Sequence, residues 1–157
     1  MPRIILGLDP GFADLGYGVI ESGGGKDRCL DYGSIRTPSG QPFGARLKTL
    51  HDELSRLIAR HRPEAAAVER LFFSTNVKTA MDVAEARGVI RLCLEQHDVP
   101  YREFGPGEVK VAVTGNGRAG KAEMQKMVVL LLGLAEIPNP DDAADALALA
   151  LAAAHTR

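Results

Sequence analysis

Three apolar runs separated by turn-forming residues fill the first 37 positions, and none carries a helical stripe. RIILGLD (residues 3–9) stops at Pro-Gly and reads as a buried strand. GYGVIES (16–22) alternates, GGGKD (23–27) is a hairpin loop, and RCLDYGSIRT (28–37) is the return strand. The chain therefore opens as an antiparallel meander. After SGQPFG the period changes. Leu47, Leu50, Leu54, Leu57 and Ile58 form a helical stripe over residues 45–61. PEAAAVE (63–69) is a short strand that ends on an acid, and residues 74–98 predict a long helix with Ser74 or Thr75 as N-cap. VPYREF (99–104) is a last strand, and helical stretches follow near 121–132 and 140–155. A hairpin set feeding right-handed crossovers gives an α/β fold: a mixed sheet flanked by helices. At 157 residues without repeats or linkers, the expectation is one domain spanning 1–157.

The net charge of −1 gives no global basic signature. Nucleic-acid binding would need locally arranged bases, or carboxylates masked by metal. Cys29 and Cys93 form no CxxC pair and read as small buried residues in a reducing, cytoplasmic setting. His51, His61, His97 and His155 show no metal-ligand spacing. The N-terminus lacks a signal-peptide pattern, and the longest apolar run, near residues 146–154, is too short to span a membrane.

GNGRAGKA (115–122) fits the phosphate-loop pattern G-x-x-x-x-G-K and follows the apolar VKVAVT. Two features count against that reading. The hydroxyl expected after the lysine is replaced by Ala122, and no strands remain downstream to build a nucleotide-binding sheet. A glycine-rich loop between helices is the plainer account. It still presents Arg118 and Lys121 as point charges for phosphates.

The C-terminal stretch NPDDAADALALALAAAH poses a sharper problem. Asn139 predicts an N-cap and Pro140 the first helical position, so Asp141 and Asp142 suit the helix dipole. Asp145 lies beyond any capping position. Spacing places it with Asp142 and Leu149 on one stripe, which the rest of the helix buries. Asp141 points about 100° away and serves as a dipole partner. Asp9 and Glu69 are acids at strand ends, where side chains line crevices. Four clustered carboxylates are costly to ionise unless hard divalent cations relieve them. Two Mg²⁺ ions at such a site, with Mn²⁺ able to substitute, clamp the attacking and leaving oxygens of a phosphodiester. The aromatics Phe72 and Phe73, in a loop of an aromatic-poor protein, suggest stacking on bases.

ILGLDPGFADLGYGVI, AAAVERLFFSTN, EARGV and NPDDAADALALALA together resemble the RuvC crossover junction endodeoxyribonucleases, in the family's order and over essentially the whole chain. The resemblance implies an RNase H-like fold with a five-stranded mixed sheet, made of a three-strand meander plus two parallel strands. It implies a homodimer that cuts four-way (Holliday) junction DNA by symmetric nicks, and a branch-migration helicase complex as partner. It carries Asp9, Glu69, Asp142 and Asp145 onto the metal-binding carboxylates; some members have His at the third position. It carries Phe72 onto an aromatic residue inserted at the junction centre, and Lys110 and Lys121 onto basic residues that support catalysis or grip the backbone. The 74–98 helix is the candidate dimer interface, since Ala84 and Gly88 permit close helix approach and a two-fold junction suits an isologous dimer.

Rival readings remain open at the level of sequence. One is a relative of the same fold that processes structured RNA. Another is a sugar-kinase-like ATPase, whose two domains exceed this length. A third is a junction-binding module that has lost its chemistry.

Overall fold

The computed structural model describes residues 1–11, 13–70 and 77–156. The strands are β1 (Arg3–Pro10), β2 (Asp14–Ser22), β3 (Arg28–Arg36), β4 (Ala65–Glu69) and β5 (Tyr101–Phe104). The helices are α1 (Phe43–His61), α2 (Val77–Gln96), α3 (Pro106–Thr114), α4 (Lys121–Leu132) and α5 (Asp141–His155). The strands form one sheet in the order β3-β2-β1-β4-β5. β1–β2 and β2–β3 pair antiparallel; β1–β4 and β4–β5 pair parallel. This is the five-stranded mixed sheet expected of an RNase H-like fold.

Strand alternation divides the core in two. Leu6, Leu8, Val19 and Val68 point to one face, where α1 and α2 bring Leu50, Leu54, Ile90 and Leu94. Ile5, Ile20, Ala67 and Phe104 point to the other, against α3, α4 and α5. Burial of β1 on both faces explains its unbroken apolar run. The predicted α1 stripe is the buried one: Leu50, Leu54, Leu57 and Ile58 are interior, and the helix stops at Arg62 in a left-handed conformation.

Two expectations change. VKVAVT belongs to α3, a helix that the sequence pattern did not predict; it runs from Pro106 to the left-handed Gly115. The glycine-rich 115–120 segment thus joins helix to helix, which removes the strand a phosphate loop requires. Also, α5 starts at Asp141 with Pro140, not Asn139, at the N-cap, and no side chain caps it. The predicted N-caps of α2, Ser74 and Thr75, lie outside the described residues.

Helix α5 lies directly on the sheet because small residues let it. A Cβ on Gly7 would stand 1.9 Å from the Ala146 carbonyl oxygen, and one on Gly16 would stand 2.2 Å from that of Asp142. Gly7 and Gly16 lie on neighbouring strands, so a glycine lane crosses the sheet beneath the helix. Ala143, Ala146 and Ala150 of α5 are wholly buried. This contact fixes the height of the α5 N-terminus above the strand ends.

Candidate active site

One row across the sheet assembles the site. Asp9 on β1 is paired with Gly16 on β2, and Gly16 with Ser34 on β3. On the other side, Leu8 pairs with Val68, so the next step of the register sets Asp9 beside Glu69. Alternation turns Asp9 and Glu69 to the face that carries Ile5 and Ala67, which is the face α5 covers. The first turns of α5 then add Asp142 and Asp145 from above. Three elements, two strand ends and a helix start, supply the four predicted acids.

The acids lean on one another. Asp9 is in hydrogen-bond contact with both Glu69 and Asp145. Burial first, then the Glu69 hydrogen bond and the charges of Glu69, Asp145 and Asp142, push its carboxyl far above the usual carboxylate range. Asp145 is also raised, by desolvation and then by the charge of Glu69, with Lys121 pulling partly the other way. Ser34 Oγ donates to Asp142 Oδ2 at 3.1 Å. Asp142 Oδ1 is buried with no hydrogen-bond partner among the described residues.

The sequence placed Asp145 on an inward stripe; the structure places it at the exposed edge of a cleft. Helix α5 is buried nearly all round from Ala143 onward, so no single stripe marks its interior face. Asp145 looks out where the helix end clears its neighbours. The cleft, about 270 Å³, is lined by Glu69, Lys110, Lys121, Met124, Asp145 and Leu149 among others. Both predicted lysines therefore share a cleft with Glu69 and Asp145. Lys121 is bound by Asp141, and that contact, more than any other, raises the ammonium's pKa. Asp141 is thus a lysine partner as well as a dipole partner. Arg118 sits in the exposed turn before α4 and does not line the cleft. Phe72 and Phe73 lie outside the described residues.

Three contributors escaped the sequence reading. Gly16 makes room for Asp142, Ser34 holds it, and Arg87 braces the end of β4. The Arg87 guanidinium is buried in α2, donates to the Glu69 carbonyl, and pairs with Glu103 at 3.1 Å. Only the alternate glycines of GYG hinted at a close approach. Ser34 and Arg87 needed the topology.

Whether this donor set suits a metal follows from its chemistry. Every donor is a carboxylate oxygen, the ligand type of hard divalent cations. One buried oxygen lacks a partner among the described residues, and burial, with the neighbouring acids, raises the Asp9 carboxyl's affinity for its proton. Among the described residues no three His, Cys, Asp or Glu side chains already stand as an ion cage. A cation held here would therefore favour the ionised form of Asp9 and would need the carboxylates drawn together.

Comparison with known proteins agrees with this geometry. The family model described as crossover junction endodeoxyribonuclease RuvC matches residues 5–155. The crossover junction endodeoxyribonuclease RuvC of Alkaliphilus oremlandii is 51% identical, over 98% of this chain and 93% of that protein. The enzyme of the same name from Chloroflexus aurantiacus is 52% identical, over 96% and 92%. The Thermus thermophilus RuvC structure in complex with a Holliday junction substrate superposes with a TM-score of 0.93 at 38% identity, covering 98% of this chain and 93% of that one. The yeast mitochondrial Holliday junction resolvase shares the fold, with a TM-score of 0.70 at 15% identity. With a family model spanning nearly its whole length and relatives at half identity, the chain belongs to the RuvC family of crossover junction endodeoxyribonucleases.

Proposed function

We propose that this chain resolves four-way DNA junctions by paired, symmetric nicks, hydrolysing phosphodiesters with divalent metal at Asp9, Glu69, Asp142 and Asp145. The observation that carries the proposal is the convergence of those acids where the ends of β1 and β4 meet the start of α5, with Glu69 and Asp145 sharing one cleft with Lys110 and Lys121. The Thermus relative was captured with such a junction. Magnesium, as two ions with manganese able to replace it, fits the all-oxygen donor set. When bound, it supplies an activated water and charge relief at the leaving 3′ oxygen.

The chain's own groups do the remaining work. Asp9 gives up its proton as the site fills. Glu69 and Asp145 flank it and orient the donor oxygens. Lys110 and Lys121 offset phosphate charge at the cleft mouth, with Lys121 exchanging Asp141 for the backbone. Phe72, by its place in the family's motif, opens the junction centre, with Phe73 beside it.

A homodimer suits a two-fold junction, and α2 has a surface for it. Val77, Met81 and Leu92 are exposed along one face, with Ala84 and Gly88 between them. A branch-migration helicase complex as partner rests on the family resemblance. A cytoplasmic setting fits the free thiols Cys29 and Cys93. Among the described residues no helix is long and apolar enough to cross a membrane.

The test offers purified protein a mobile four-way DNA junction, the same junction in RNA, and a linear duplex, each with and without Mg²⁺. We expect symmetric nicks on the DNA junction alone, and only with metal. Asp145→Asn should bind the junction and lose at least about 100-fold in cutting, the scale of a lost metal-site group. Equal cutting by that variant, or cutting in EDTA, would remove the four-carboxylate site. Preference for the RNA junction would transfer the site to RNA processing.

A further inference from the structure

Asp142 stands apart from the other acids, because one of its oxygens is already taken. Ser34 comes from β3, two strands away from Asp9, and reaches Asp142 over Gly16. That reach exists only because Gly16 has no side chain: a Cβ there would meet the Asp142 Cβ at 2.8 Å. The partnership engages Oδ2 and leaves Oδ1 buried and unpartnered.

A competing arrangement is close at hand. Helix α5 has Pro140 at its N-cap and no side-chain cap. Its first N–H groups therefore lack the partner that a serine or aspartate cap would provide. A first-turn aspartate such as Asp142 can fold back onto such groups. In that rotamer both carboxylate oxygens would be drawn to the helix end.

We propose that Ser34 is a positioning residue for the metal site: its hydroxyl holds Asp142 off the α5 N-terminus and keeps Oδ1 presented to a divalent cation. The inference rests on the four-carboxylate reading above. Removing the hydroxyl leaves the acid in place but free to turn. The effect should match loss of an orienting hydrogen bond behind a metal ligand, a factor of about 10 to 100 in affinity.

The experiment titrates Mn²⁺ into the DNA-free protein and follows the free ion by electron paramagnetic resonance. The chains compared are the wild type, Ser34→Ala, Ser34→Thr and Asp142→Asn, with melting in EDTA to show that each is folded. We expect Ser34→Ala to bind Mn²⁺ at least about tenfold more weakly while Ser34→Thr, which keeps the hydroxyl, stays near wild type. Asp142→Asn should bind more weakly than either. Unchanged affinity in Ser34→Ala beside a weakened Asp142→Asn overturns the role of Ser34 and leaves the metal site standing. Equal losses in Ser34→Ala and Ser34→Thr also overturn it, since shape and not the hydroxyl would then matter. No Mn²⁺ binding by the wild type overturns the metal reading itself, and this inference with it.

Discussion

Asp9 is the residue on which the site's electrostatics turn. The folded chain holds its proton far more tightly than the unfolded chain, where the carboxyl sits near 3.8. Folding above that value therefore takes up a proton, so stability falls as pH rises toward the higher folded value. In EDTA, urea unfolding at pH 5 and pH 8 should show the wild type losing stability over this interval. Asp9→Asn, which has no proton to lose, should lose less and should be the more stable chain at pH 8 by at least about 1 kcal/mol. A wild type with the same pH slope as Asp9→Asn would mean that Asp9 is ionised without metal. At this scale the sequence was informative about acids and silent about what surrounds them. Asp145 drew attention because it lies beyond any capping position, whereas Asp9 and Glu69, each an ordinary strand-end acid when taken singly, stood out only together with it and through the family's motifs. Ser34 and Arg87 did not stand out. A serine in a strand and an arginine in a helix are ordinary until pairing places one over Gly16 and the other under Glu69.

Among the elements, α5 decides whether the acids meet. Its seat on Gly7 and Gly16 leaves no room for a methyl group. Gly7→Ala places a carbon 1.9 Å from a helix carbonyl, so the helix must lift. Overpacking of this kind costs about 1–3 kcal/mol, and lifting α5 also carries Asp142 and Asp145 away from Asp9. Gly7→Ala should therefore lower both the urea midpoint and the rate of junction cutting. Gly44→Ala, in the first turn of α1 where the added carbon meets nothing within 4 Å, should leave cutting unchanged and should not lower the urea midpoint. Cutting at the wild-type rate by a destabilised Gly7→Ala chain would separate the lane from the site. Helices with long stripes were readable from sequence; α3 was not. It buries only Val109 and Val113, a stripe of two, and its valines favour strands on their own. Pro106 at its start and Gly115 at its end were the available signals. The exposure of Asp145 was missed for the opposite reason. Alanine and leucine on every side of α5 give a wheel with no polar face to orient it, and only its neighbours do so.

For the whole molecule, the question is how one cleft makes two cuts. A junction has two strands to cut, and each chain carries one set of four acids. Paired nicking therefore needs two copies held in a fixed relation. The α2 face offers that relation: Val77, Met81 and Leu92 are 69%, 61% and 55% exposed, and nothing lies within 4 Å of a Cβ built on Gly88. Small residues between larger apolar ones allow two such helices to approach closely about a two-fold axis. The same helix holds Arg87, whose guanidinium grips the Glu69 carbonyl, so the proposed interface and the site would share an element. Replacing Met81 and Leu92 together by aspartate leaves the fold intact, since exposed positions tolerate substitution within about 0.5 kcal/mol. It should shift the protein from dimer to monomer in sedimentation. On a supercoiled plasmid with an extruded cruciform, the wild type should give linear DNA from paired cuts. The aspartate variant should give nicked circles, because each encounter delivers a single site, while Mn²⁺ binding to its isolated carboxylates stays unchanged. A variant that sediments as a dimer would move the interface elsewhere. A monomeric variant that still yields linear DNA would show that pairing of the cuts does not come from pairing of the chains.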